Sequence, residues 1–153
     1  KKGRSHVLRI IREIIEIVPE GRGTNIHDAL SGFLQAMKKR TICFLISDFR
    51  DTGFDGVLKR AGRRHDLVAL RVEDPLEREF PAVGWIQVED PETGESRWVN
   101  TNRKRVRRRH AALEAEREAA LKSTFLRSGV DEAVLMTDKP YVQPLMQLFD
   151  RRG

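Results

Sequence analysis

The chain has 153 residues, 39% of them hydrophobic and 34% charged, with a net charge of +6; this suits one domain with its own core and excludes a disordered chain. No window approaches the roughly 18–20 unbroken apolar residues of a membrane span, and the basic N-terminus adjoins no uncharged apolar core of a signal peptide. Cys43 is the single cysteine, which excludes an intrachain disulfide framework and a multi-cysteine zinc site and suits a reducing cytoplasm.

The chain opens Lys1-Lys2-Gly3 without an initiator Met and enters a helical pattern almost at once, so a piece of a longer protein is expected. Ser5 is placed to cap that helix, whose apolar positions Val7, Ile10, Ile11, Ile14, Ile17 and Val18 recur at helical spacing before Pro19 ends it. After the Gly-rich loop "PEGRGT", a second amphipathic helix carries Ile26, Ala29, Leu30, Phe33, Leu34 and Met37 on one face. "TICFLIS" (41–47) lacks alternation and is rich in β-branched and aromatic residues, which predicts a strand covered on both faces with Cys43 in the core. A short helix over 54–62 should yield at Gly62, and "DLVALRV" (66–72) reads as a second buried strand.

The pattern then changes. "GWIQVED-PETG-ESRWVN" (84–100) sets two alternating segments around a Pro/Gly turn, a hairpin signal, with Trp85 and Trp98 on its two arms; packing is expected for both, and an exposed interaction ridge is the alternative. A long helix over about 102–127, a strand near 133–137 and a helix over 140–151 complete the chain. Pro140 falls near the start of that last helix, and Pro144 further in should cause a local irregularity. This order predicts an α/β fold: a parallel sheet flanked by helices, with right-handed crossovers and an inserted β-hairpin. Ligands in such sheets sit beyond the carboxyl ends of the strands, where Asp48, Asp51, Glu73, Asp74 and Asp138 fall, with Thr24 at the same edge.

Two motifs resemble a known family. "GRGTNIHDAL" (21–30) is similar to the Gly-Gly-Thr-x-Ile-x-x-Ala-Leu motif of von Willebrand factor A (vWA) domains, and "FLISDFRD" (44–51) to the strand end carrying their last metal-site Asp. "RRHDLVALRVEDPLEREFPAVGWIQVEDPETGE" resembles one bacterial branch of vWA-like proteins, domain of unknown function 58, often encoded beside MoxR-type AAA+ ATPases. The resemblance implies a partial vWA (Rossmann-like) fold. In vWA domains Mg²⁺ or Mn²⁺ is held by an Asp-x-Ser-x-Ser loop, a Thr and an Asp. Thr24 and Asp48 match the last two, and no Asp-x-Ser-x-Ser occurs in these 153 residues. The resemblance thus implies that residues 1–153 form a single vWA-like domain lacking its N-terminal strands and that loop. The metal site is then incomplete, because Mg²⁺ takes about six oxygens. Thr24 as a helix cap and Asp48 as an acceptor of loop amides is the competing structural reading. The 41–48 strand would also lie at an open edge, which predicts self-association across it.

"RKRVRRRH" (103–110) is the strongest charge signal: Arg103, Lys104, Arg105, Arg107, Arg108 and Arg109, at a helix start where positive charge opposes the macrodipole. A solvated face is the ordinary reading, an acidic protein partner the next, and nucleic acid or anionic lipid the third, since no aromatic interleaving supports it in the sequence. The four histidines show no metal-ligand spacing, and there is no Gly-x-Ser-x-Gly elbow or phosphate-binding Lys-Ser/Thr. No catalytic residue is assigned. By resemblance the expectation is a non-enzymatic cytoplasmic scaffold working with a MoxR-type ATPase in complex assembly or maturation; the alternative is a basic nucleic-acid-binding module acting through 103–110.

Overall fold

The structure, a computed structural model, describes residues 3–18, 23–89 and 94–153. Pro19, the Gly21-Arg22 start of the first vWA-like motif and most of the expected hairpin turn lie outside the described residues. Helix α1 (Arg4–Glu16) starts after Gly3, so Ser5 lies inside it and does not cap it. No residue of α1 is buried; its apolar stripe, Val7, Ile11 and Ile14 among it, faces solvent. Helix α2 (Ile26–Ala36) is capped by Asn25, whose side chain accepts the Asp28 N–H at 2.8 Å, and it buries Ile26 and Leu30.

Strand β1 (Ile42–Ser47) leads through α3 (Asp55–Arg64) into β2 (Asp66–Glu73). The short α4 (Pro75–Arg78), which no sequence pattern announced, follows, with Pro75 in its first turn. The hairpin is β3 (Trp85–Glu89) against β4 (Ser96–Asn100), then come α5 (Lys104–Ser128), β5 (Asp131–Met136) and α6 (Val142–Asp150). Strands β1, β2 and β5 form a parallel sheet in the order β1-β2-β5, with β2 at the centre. Both crossovers step the same way across the sheet, so α3 and α5 share one face of it. There Val57, Leu58, Ala61, Leu121 and Phe125, joined by Leu30 of α2, pack on Leu67 and Ala69. On the other face Leu148 of α6 packs against Val68, Leu70 and Ala133.

Three expectations need correction. Strand β1 is not covered on both faces: Cys43 and Leu45 pack against the core, whereas Ile42, Phe44 and Ile46 are exposed. The cause is that α6 packs over β2 and β5, meeting β1 at its edge through the contact of Phe149 with Phe44 (ring centroids 6.2 Å apart). Helix α3 does not yield at Gly62 but runs on to Arg64, because its backbone bonds continue through His65 N–H to the Ala61 carbonyl. Pro144 causes no break, since α6 starts at Val142 and Pro144 falls in its first turn, where no helical N–H bond is needed.

Gly62 has a packing reason. A Cβ there would lie 2.5 Å from the Ser128 carbonyl oxygen and 3.1 Å from Val130 Cγ2, so α3 approaches the end of α5 as closely as a bare backbone allows. Gly62→Ala should therefore destabilise the chain by about 1–3 kcal/mol despite alanine's better helix propensity. Urea denaturation with an unchanged m-value checks this, and a gain in stability would contradict the close approach.

Candidate functional site at the carboxyl ends of the strands

Strand β1 ends in a loop folded on its own side chains. The Asp48 carboxylate accepts the Arg50 N–H at 3.2 Å and the Ser47 hydroxyl at 3.4 Å, and Ser47 Oγ accepts the Phe49 N–H at 3.0 Å. Phe49, between them, is held at φ 54, an uncommon backbone state for a bulky residue. Its ring is buried against Phe54 and Phe125, which offsets the cost of that conformation. Asp51 then bridges two segments: one oxygen accepts the Thr52 N–H at 2.6 Å and the other the Ile26 N–H of α2 at 2.7 Å. Thr24, exposed, lies two residues before Ile26, so the segments bearing Thr24 and Asp48 are tied by this bond.

The tight loop sends Arg50 toward α4 and α5, where it bonds Glu77 at 3.3 Å and Glu114 at 3.4 Å. Burial works against the charged guanidinium, but Glu114 and Glu77 outweigh it and hold Arg50 above its ordinary range. Next to this lies a cluster that sequence reasoning missed. Arg71, on the central strand and 1% exposed, donates Nε to Glu132 of β5 at 2.6 Å, Nη1 to Glu73 of its own strand, and Nη2 to Glu118 of α5 at 3.5 Å. Arg78 of α4 joins Glu118 at 2.8 Å. Arg71, Glu73, Arg78, Glu114, Arg117 and Glu118 line a polar cleft of about 150 Å³ beside the β2 end. The sequence signals were Glu73 at a strand end and an arginine inside the otherwise apolar "LVALRV".

Of the other strand-end acids, Glu73 belongs to this cluster, and Asp74 caps α4 by accepting the Leu76 N–H at 2.8 Å. Asp138 sits exposed in the turn after β5. Among the described residues no group of three or more His, Cys, Asp or Glu side chains is placed to hold a metal ion.

The sequence matches the family described as "Protein of unknown function DUF58" over residues 1–120. The chain belongs to the DUF58 family. Among curated proteins it is 24% identical to uncharacterized protein MAV169 of Mycobacterium avium, over 99% of this chain and 91% of that protein. It is equally similar, at 24%, to uncharacterized proteins Mb1516 of Mycobacterium bovis and Rv1480 of Mycobacterium tuberculosis. The match covers 99% of this chain and 49% of each of those two, so it spans about half their length. No solved structure matches.

In this DUF58 chain the basic run stands apart from the strand ends. Arg107 turns back to donate to the Thr101 carbonyl, and His110 stacks on Phe80 at 3.9 Å while its Nε2 meets the Glu77 carbonyl at 2.7 Å. Arg103, Lys104, Arg105, Arg108 and Arg109 are exposed and form no ion pair with a described residue. Trp85 and Trp98 do not pack as expected but stay exposed. No described helix is long and apolar enough to cross a membrane.

The Arg71 cluster sets two expectations. Arg71→Met, close in size but uncharged, should cost about 3–5 kcal/mol by leaving buried carboxylates unpaired, whereas Arg78→Met at the exposed rim should cost under about 1 kcal/mol. The hydrogen bond from Lys122 holds the Glu118 carboxyl below the usual carboxylate range, against burial and helped by Arg78 and Arg71. A carboxyl depressed in the folded state contributes stability that is fully present above its unfolded pKa and lost as pH falls through the folded one. Denaturation followed from neutral to acid pH should thus show a falling limb that Glu118→Gln makes shallower.

Proposed function

We propose that this DUF58 chain is part of a vWA-like domain that acts as a non-enzymatic protein-interaction scaffold, working with a MoxR-type AAA+ ATPase in complex assembly or maturation. The observation that carries this reading is the 2.7 Å bond from the Ile26 N–H to Asp51. It ties the Thr24 segment to the Asp48 loop at the carboxyl edge of a parallel sheet, where α/β folds place their ligands. The polar cleft at the same edge offers exposed Arg78 and Glu79 to a partner.

The donor set within this chain does not fit a divalent cation on its own. Asp48 already spends one oxygen on Arg50 and Ser47, and Thr24 adds a single hydroxyl, far from the six or so oxygens Mg²⁺ requires. Docking is accordingly assigned here to side-chain contacts. Mg²⁺ or Mn²⁺ belongs to the reading only where an Asp-x-Ser-x-Ser loop joins Thr24 and Asp48 in the intact domain. Calorimetry with Mg²⁺ and Mn²⁺ should give no sub-millimolar binding to the 153-residue chain; tight binding abolished by Asp48→Ala would overturn the incomplete-site reading. Co-purification with a MoxR-type ATPase, weakened by charge reversal at Arg78, tests the scaffold role, and its absence counts against it.

Strand β1 pairs with β2 on one side and with no described strand on the other, and Ile42, Phe44 and Ile46 line its exposed face. A second copy is the expected neighbour for that edge. Light scattering after size exclusion should show concentration-dependent dimers that Phe44→Lys disperses; a clean monomer at high concentration would exclude them.

A further inference from the structure

The hairpin leads directly into the start of α5, with only Thr101, Asn102 and Arg103 between the end of β4 and Lys104. In the β3–β4 register Trp85 faces Asn100 and Gln87 faces Trp98, so all four side chains share one face of the ribbon. The two tryptophans are diagonal neighbours on it, 62% and 64% exposed, on a two-stranded ribbon. The hairpin is anchored at its Trp85 end. Buried Thr101 donates its N–H to the Gly84 carbonyl at 2.7 Å and its hydroxyl to the same oxygen at 2.8 Å, while Arg107 holds the Thr101 carbonyl. The chain therefore passes from the tryptophan face into α5 within a few fixed residues. On that helix Lys104, Arg105, Arg108 and Arg109 lie within an arc of about 140°, opposite the side that carries Val106, Arg107 and His110.

We infer that this surface binds single-stranded nucleic acid: bases stack on Trp85 and Trp98 while the phosphates run along Arg103, Lys104, Arg105, Arg108 and Arg109. The sequence lacked aromatic interleaving within the basic run; in the fold Trp85 pairs with Asn100, three residues before Arg103, with Trp98 diagonal to it on the same ribbon face. Five exposed cations without ion pairs to described residues repel one another, and a polyanion relieves that repulsion and releases its own counterions. Open indole faces on a flat ribbon accept any base plane, as stacking platforms do. A protein partner would instead be expected to seat such tryptophans in a desolvated pocket. Glu89 lies at the end of β3 away from α5 and repels phosphate there, so the strand runs from Trp98 past Trp85 onto the helix.

The test is fluorescence anisotropy of a labelled oligothymidylate of about 15 nucleotides with the whole 153-residue chain. Saturable binding is expected at about 50 mM salt, with log affinity falling against log salt at a slope of about −2 to −3.5, as roughly three to five phosphate contacts require. Trp85→Ala and Trp98→Ala should each weaken binding about tenfold, and Phe at either position should restore most of it. Both indoles are exposed, so these variants keep the fold, which far-UV circular dichroism checks. Arg105→Glu with Arg108→Glu should abolish binding. The inference is overturned by any of four results: no saturable binding at about 50 mM salt, unchanged affinity in both Trp→Ala variants, equal displacement by polyglutamate, or binding only to vesicles containing phosphatidylserine. The first two reject a base-stacking surface, the third assigns it to an acidic protein and the fourth to a membrane. The scaffold reading stands or falls separately, on the Arg78 and Asp48 variants.

Discussion

A guanidinium in the middle of the sheet is the constraint on which the carboxyl edge depends. Arg71 projects from the central strand where an apolar residue would be the simpler choice, and it is removed from water almost completely. Such a charge is tolerated only if its donors are met, and the partners come from three elements: Glu73 on the same strand, Glu132 on the neighbouring strand and Glu118 on the covering helix. The network thus fixes how α5 and β5 sit against β2. Through Arg78 at the cleft, and Arg50 bonded to Glu77 and Glu114, it extends to α4 and the β1 loop. Hydrophobic burial holds the sheet to its helices, while these directed bonds set the register of the elements that end at the edge.

The parallel sheet was legible because β2 is buried on both faces, and a doubly covered strand writes an unbroken apolar run. β1 writes nearly the same run, yet one of its faces is open. Residue pattern alone does not distinguish a strand with a covering neighbour from one without, because Ile42, Phe44 and Ile46 are equally apolar in either setting. Asp48 and Asp51 were found from their place after a strand, and the structure gives Asp51 the more definite task, capping α2 across a separation of 25 residues. The Arg71 cluster escaped notice for the opposite reason: its members are scattered from β2 to β5, and only the fold collects them.

Charge is distributed unevenly over the molecule. At the carboxyl edge, arginines and glutamates interleave and largely neutralise one another. At the start of α5 the cations stand together without acids, and the acids follow only from Glu114 onward, where they are drawn into the bonds to Arg50 and Arg117. The long helix is therefore two surfaces joined end to end, one that organises the domain and one turned outward. The positive φ of Gly129 then closes it with a left-handed cap, so that β5 can enter the sheet.

The hairpin's position in the chain has its own consequence. It interrupts the crossover from β2 to β5, a connection that a parallel pair must make long in any case. The entropy of closing such a connection grows only with the logarithm of its length, so adding or removing a few residues of ribbon changes the stability of the sheet very little. Anchored at one end through Thr101 and free of the core beyond it, the ribbon is a module that can be reshaped, lengthened or exchanged while Arg71 keeps the sheet and helices in place. Within such a fold, the hairpin can change without any matching change in the core.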